Sequence, residues 1–342
     1  MITKRTTALI AVVTATALAL TGCAAGEGSA LDQADASGEW SSDTLNIDFA
    51  TYNPLSLIIK EEGWIEDAVG DDVTVNWIQS AGSNKANEAL RAGAIDVGST
   101  AGSAALLARS NGSPIQAIDI YSQPNWAAIL VPADSTITSV ADLKGKTIAA
   151  TLGTDPYFFL LQSLEEAGLS IDDVEIQNLQ HADGKAALES GAVDAWSGLD
   201  PLLSTSVATA GSKIIYDNID FNSYGFLNAT EAFISDSPDL AQVVVNAYEK
   251  AREYAIANPD DVAEVLAEVA AIDPEIAATQ LKDRTKLDID PVPGQAQLDV
   301  LTIIGPVFVE SGDVKDQASI DDALASLFNT TFIEKADPSA IG

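Results

Sequence analysis

Histidine, cysteine and basic residues are all scarce in this chain. Its 342 residues hold one cysteine, Cys23, and one histidine, His181. Zinc sites of the common kinds draw several ligands from these two residue types, so no metal centre is expected. No resident cofactor is expected either. Asp288-Ile289-Asp290 is followed by proline and reads as a turn, not as the start of a calcium loop. Gly98-Ser99-Thr100-Ala101-Gly102 misses the nucleophile-elbow pattern, because Thr100 stands where serine is needed. There is no Ser-x-x-Lys pair and no Gly-x-x-x-x-Gly-Lys-Ser/Thr phosphate loop. A single histidine in a loop is more often a surface or hinge residue than a general base, so the chain is not expected to be an enzyme. Seventeen basic residues face 51 acidic ones, a net charge of −34. Such a surface is a poor partner for nucleic acid and for anionic lipid headgroups. The acidic residues are dispersed, which describes a solvated acidic surface and not an acidic tail.

The first 23 residues have a pattern of their own. Lys4 and Arg5 precede an apolar stretch from Ala8 to Leu20, the charged and hydrophobic regions of a secretory signal peptide. The stretch is too short to span a bilayer as a stable helix. Its ending, Leu20-Thr21-Gly22-Cys23, resembles the lipobox of bacterial lipoproteins. That resemblance implies that Cys23 becomes the mature N-terminus and carries lipid, palmitate included. The expected layout is a signal peptide over 1–22 and a lipidated flexible tether over 23–43, rich in Gly, Ala, Ser and acid. Loss of Lys4 and Arg5 would leave a net charge near −36. The expected location is the outer face of the cytoplasmic membrane, at the cell surface or in the periplasm, held by lipid alone.

From Thr44 onward strands and helices alternate, which implies α/β architecture with parallel sheets and crossover helices. Strands are expected at 44–52, 73–80, 95–98 and 115–121, then at 126–131, 147–150, 174–179, 192–196 and 213–216. A return strand is expected at 224–228, and the remainder is mostly helical. The length favours two domains.

In open α/β sheets, ligands bind beyond the carboxyl ends of strands, at helix N-termini. Two junctions suit an anion. One is Gly98 to Ser103, the other Leu152 to Tyr157. In both, glycines and small hydroxyl residues let backbone N–H groups face a ligand at the positive end of a helix. Plain capping by Ser103 and Asp155, with Pro156 at the first helical position, explains each junction singly. Neither holds Lys or Arg, so an oxyanion there would rely on amides and hydroxyls. Lys85 is the nearest basic candidate. Tyr52, Trp126, Tyr157, Trp196 and Tyr224 could wall a pocket, although each alone is more often core.

Three stretches carry a family resemblance: Ala94-Ile95-Asp96-Val97-Gly98-Ser99-Thr100, Ser139-Val140-Ala141-Asp142-Leu143-Lys144-Gly145-Lys146, and Val193-Asp194-Ala195-Trp196 with Asp200-Pro201. Together they resemble substrate-binding proteins of ABC importers in the aliphatic sulfonate, taurine and nitrate group. The resemblance implies a two-lobed periplasmic-binding-protein fold of type II. Each lobe would be a mostly parallel sheet flanked by helices, with lobe 1 at 44–124 and 227–342, lobe 2 at 125–226, and hinges near 123–127 and 221–226. It implies a monomer that delivers a small organic anion, an aliphatic sulfonate or taurine-like compound, to permease subunits. By this analogy Tyr52, Asn53 and Ser80 line the first pocket loops. Ser99, Thr100 and Gly102 hold the anionic head from one lobe, and Gly153 and Thr154 from the other. Trp126 and Tyr157 supply walls, and Trp196 and Asp200 lie at the cleft edge. Asp155 beside an anion would repel it unless turned away as a cap or paired with an ammonium group on the ligand. Two alternatives remain open on the sequence: a binder of a neutral thiamine-type pyrimidine, and an enzyme on the same scaffold working through His181.

Overall fold

A computed structural model describes residues 39–342. The expected signal peptide, Cys23 and the expected tether as far as residue 38 lie outside the described residues. The last residues of the expected tether already belong to the fold. The Trp40 indole donates to Val69 O at 3.0 Å, and Ser41 N donates to Asp239 Oδ2 at 2.8 Å.

The first part of lobe 1 runs β1 (Thr44–Phe49), α1 (Pro54–Glu62), α2 (Trp64–Val69), β2 (Thr74–Gln79), α3 (Ser83–Ala92), β3 (Val97–Ala101), α4 (Gly102–Ser110) and β4 (Ile115–Pro124). Lobe 2 follows with β5 (Ala127–Val131), β6 (Thr147–Ala150), α5 (Asp155–Glu166), β7 (Glu175–Asn178), α6 (His181–Glu189), β8 (Ala195–Leu199), α7 (Leu202–Ala210) and β9 (Lys213–Tyr216). The chain then returns through β10 (Gly225–Thr230) to α8 (Glu231–Asp236), α9 (Pro238–Ala257), α10 (Pro259–Ala270), α11 (Pro274–Asp283), β11 (Thr285–Lys286), α12 (Gln295–Glu310) and α13 (Gln317–Ser326). No helix among the described residues is long and apolar enough to cross a membrane.

There are two sheets, ordered β11-β4-β10-β3-β1-β2 and β7-β6-β8-β5-β9. Both are mixed. The βαβ parts are parallel, β1 with β2 and β3, and β6 with β7 and β8. The strands that arrive through the crossings, β10 and β5, run antiparallel to their neighbours. The chain passes between sheets twice, at Asn125–Trp126 and between β9 and β10. The crossings are tied together: Ala127 N donates to Asn222 Oδ1 at 2.9 Å, and Asn222 Nδ2 donates to Asn125 Oδ1 at 3.2 Å.

Local chemistry explains the ends of the elements. Asn53 caps α1, Pro54 occupies its first turn, and Gly63 closes it at φ +67°. Burial of apolar faces then places the helices, and α9 is fixed on β4 by the buried Arg252. Its guanidinium donates to Ile120 O, Tyr121 O and Leu287 O and pairs with Asp119 and Glu249.

Two elements differ from the sequence expectation in ways that matter for the site. The strand expected at 95–98 lies at Val97–Ala101 and is buried throughout. Ser99 and Thr100 are therefore sheet residues and not loop residues, because buried partners on neighbouring strands satisfy their hydroxyls. The helix expected from Lys185 begins at His181, which puts the histidine in its first turn and not in a loop.

Candidate functional site

Each sheet turns the carboxyl ends of its parallel strands toward the other lobe, and each of those strands feeds a helix. On lobe 1 the N-termini of α3 and α4 open here, following β2 and β3. On lobe 2 those of α5 and α6 open here, following β6 and β7. The lobes meet at these ends. Ser103 of α4 donates to Asp155 of α5 at 2.6 Å. A Cβ placed on Gly153 would lie 3.7 Å from Asn84 Cβ, and one on Gly82 would lie 3.0 Å from His181 Nε2. Two helix N-termini from each lobe thus border one interlobe seam with their positive dipole ends.

Asp155 is the most connected residue of the seam. Oδ1 accepts from Ser103 Oγ and Ser223 Oγ, both at 2.6 Å. Oδ2 accepts from Trp126 Nε1 at 2.7 Å and Ser223 N at 2.9 Å. These donors come from lobe 1 and from both crossings. Burial pushes the carboxyl up to about 6, against the hydrogen bonds that stabilise its charge. Asp155 is therefore not the cap residue of α5. Thr154 holds the cap position, and both carboxylate oxygens are already satisfied within the protein. Trp126 in turn meets Tyr52 edge-on, ring centroids 6.0 Å apart, and Tyr52 donates its hydroxyl to Ser99 O at 2.9 Å.

Beneath this corner lies a carboxylate that the sequence reading passed over. Asp48 on β1 accepts from Ser99 N at 2.8 Å and Ser99 Oγ at 3.1 Å, and the Ser80 hydroxyl is a further partner. Burial raises it to about 7. The alternation of Leu45, Ile47 and Phe49 assigns Asp48 to a solvent face. The sheet, however, is covered on both faces, as parallel sheets are.

The remaining expected site residues fall into three groups. Gly102, Gly153 and Thr154 lie at the seam. Gly102 N donates to Tyr224 O at 2.8 Å, Gly153 adopts φ +76°, and Thr154 spends its hydroxyl proton on Thr151 O at 2.6 Å. Ser80, Ser99 and Thr100 lie behind it in the sheet, where Thr100 Oγ1 donates to Ala101 O and accepts from Asn228 Nδ2. Asn53, Tyr157, Trp196 and Asp200 face other parts of the fold. Asn53 caps α1 and donates to the Tyr248 hydroxyl at 3.0 Å. Tyr157 is raised by burial and by its neighbour Asp313. Trp196 is fully buried in the lobe 2 core with Leu130, Leu188 and Leu203. It lies on the opposite face of β8 from Ser197, which reaches back to α5 through Pro156 O. Asp200 pairs with Arg284 at 2.6 Å and accepts from Ser204. Arg284 also pairs with Asp217 at 3.1 Å, so Asp200 ties the lobes beside the crossings.

Among the described residues no cluster of three His, Cys, Asp or Glu side chains is arranged to hold a metal ion.

Residues 57–262, well over half of the chain, match the NMT1/THI5-like family. The chain belongs to this family. A relative from Escherichia coli K12, named "Putative aliphatic sulfonates-binding protein", is 29% identical over 220 residues, 64% of this chain and 69% of the relative. One of the same name from Bacillus subtilis 168 is 29% identical over 243 residues, 70% of this chain and 73% of the relative. The alkanesulfonate-binding protein SsuA of Xanthomonas axonopodis pv. citri, solved with MOPS bound, superposes with a TM-score of 0.74 at 23% identity, covering 82% of this chain and 98% of that one. This member of the family therefore has the two-lobed fold of a periplasmic binding protein, each lobe a mixed sheet flanked by helices.

Proposed function

We propose that the protein is the extracytoplasmic solute-binding component of an ABC importer, and that it takes a small organic anion of the aliphatic sulfonate class at the seam between its lobes. The observation that carries this reading is the seam itself. Two helix N-termini from each lobe open on it, and its hydroxyl, indole and amide donors already hold one oxyanion, that of Asp155, out of water. A sulfonate presents the same acceptor chemistry without a proton to lose. The names of the two curated relatives support the same class.

Uptake needs no chemistry from this chain. The lobes close about the two crossings, and the solute favours the closed state by its greater affinity for it. The closed form then docks on permease subunits. The lipid on Cys23, the signal peptide, the monomeric state and the location outside the cytoplasmic membrane belong to this proposal, and an intact-mass measurement of the mature chain tests the lipid directly. The aromatic-stacking alternative has less to draw on, because Trp196 is core and Tyr157 turns to Asp313.

A thermal-shift series on the full chain tests the class. A ligand that binds only the folded state raises the midpoint, by about 2.7 kcal/mol of stability at a hundred times its Kd. Alkanesulfonates are expected to raise it and pyrimidines to leave it unchanged. A shift with pyrimidines and none with sulfonates would overturn the reading.

A further inference from the structure

A groove of about 340 Å³, sharing no residue with the seam, has its walls in different lobes. Leu203, Val207 and Ala208 of α7 and Ile214 of β9 form the lobe 2 side, and Ile276 of α11 belongs to lobe 1. The three α7 residues share one helical face. Val207 and Ile214 are 37% and 39% exposed. Large apolar side chains left open together in one concave place mark a binding surface, and the volume is that of a small-molecule site. The side-chain donors of the groove are spent, with one exception. Ser204 Oγ donates to Asp200 Oδ1 at 2.6 Å, and Thr279 Oγ1 donates to Glu275 O at 2.9 Å. Arg284 gives Nε to Asp200 and Nη1 to Asp217. Its Nη2 is buried and has no partner.

We propose that this groove is a second binding site, for a neutral, mainly apolar molecule with one hydrogen-bond acceptor, and that its occupant clamps the two lobes together. Arg284 supplies the donor, and a charged donor makes the stronger bond. A buried donor left bare is costly, so an acceptor is favoured over plain hydrocarbon. Charge selects against an anion. Asp200 and Asp217 already pair with the guanidinium and Glu275 lines the groove, three carboxyl groups to one cation. An ammonium group has no acceptor to offer Nη2. A carbonyl, ether or alcohol oxygen on an apolar body satisfies both conditions. Because the walls belong to different lobes, an occupant favours the arrangement in which they stand this far apart. The site does not depend on which solute occupies the seam.

The experiment is a methyl NMR titration of the full chain with acetophenone, benzoate and ethylbenzene, similar in size but carrying a carbonyl, a carboxylate and no acceptor. Acetophenone is expected to shift the methyls of Val207, Ile214 and Ile276 and to bind about tenfold tighter than either of the others. Val207→Asp, at an exposed position where folding is not in question, is expected to weaken it about tenfold by charging an apolar wall. In the double variant Arg284→Met with Asp200→Asn, which leaves no charge at position 200, the advantage of acetophenone over ethylbenzene is expected to fall toward one. Saturating acetophenone is expected to slow hydrogen exchange severalfold at the Ala127 amide, which joins the two crossings. No shift of these methyls, equal binding of all three compounds, unchanged binding in Val207→Asp or an unchanged ratio in the double variant overturns the site. Unchanged exchange at Ala127 under saturation overturns the clamp.

Discussion

Asp48 and Asp155 are carboxyls enclosed by neutral donors, with no basic side chain hydrogen-bonded to either. Burial lifts them to about 7 and about 6, above the value near 3.8 that they have in an unfolded chain. A group whose folded value is the higher one favours the fold most when protonated, so this stability is complete below pH 4 and is lost as pH rises through 6 and 7. His181 acts in the opposite sense. Held at about 4, it favours the fold fully above pH 6.5 and loses that contribution as pH falls toward 4. Thermal melts are therefore expected to give a higher midpoint at pH 5.5 than at pH 8, and Asp48→Asn to flatten part of that slope. Equal slopes in the variant and the parent would show that Asp48 is not the source. At this scale the sequence was readable where chemistry is local, as in the Asn53 cap, the turn at Gly63 and the small polar residues at the strand ends. It was not readable where a partner comes from far along the chain. Asp48 meets Ser99 51 residues away and Asp155 meets Ser223 68 residues away, and no spacing rule announces such pairs.

Among the elements, α4 starts on a glycine for steric reasons. A Cβ on Gly102 would lie 2.8 Å from the Phe226 ring on β10, and Phe226 is fully buried. Gly102→Ala is expected to cost about 1–3 kcal/mol through overpacking and to weaken ligand affinity, because α4 must move away from the seam. Chemical denaturation and titration of the same variant check both effects, and a variant with native stability would count against so tight a contact. The crossings offer a second case. Arg284 neutralises Asp200, which is 2% exposed, and reaches Asp217 as well. Arg284→Met strands a buried carboxylate, with an expected loss of about 3–5 kcal/mol. Adding Asp200→Asn should recover much of it, and failure of that rescue in denaturant melts would refute the pairing account. Most elements were legible from period and punctuation, because their ends carry Pro, Gly or Asn. β3 was misplaced because Ser99 and Thr100 read as loop until Asp48 and Asn228 are known to stand beside them. α6 was begun late because nothing near Gln180 and His181 signals a cap.

Over the whole molecule, the proposed function requires a chain of net charge −34 to admit an anion. The capture step works against the protein's own field, and salt shortens the reach of that field to about 10 Å at 0.1 M. Association with a sulfonate is expected to speed up severalfold between 10 and 150 mM salt, as read by stopped-flow tryptophan fluorescence. A rate that falls with salt would mean that the entrance is locally positive. One more consequence follows from where the chain is fastened. Ser41 is bonded to Asp239 near the start of α9, and Ile341 O accepts from Lys250 farther along the same helix, so both extremities of the described chain are clamped to lobe 1. Lobe 2 is threaded between β4 and β10 with no free end of its own. A tension applied at the extremities would load α9 and its neighbours first and reach lobe 2 only after they gave way. In a single-molecule pulling trace, lobe 2 should be the last part to extend.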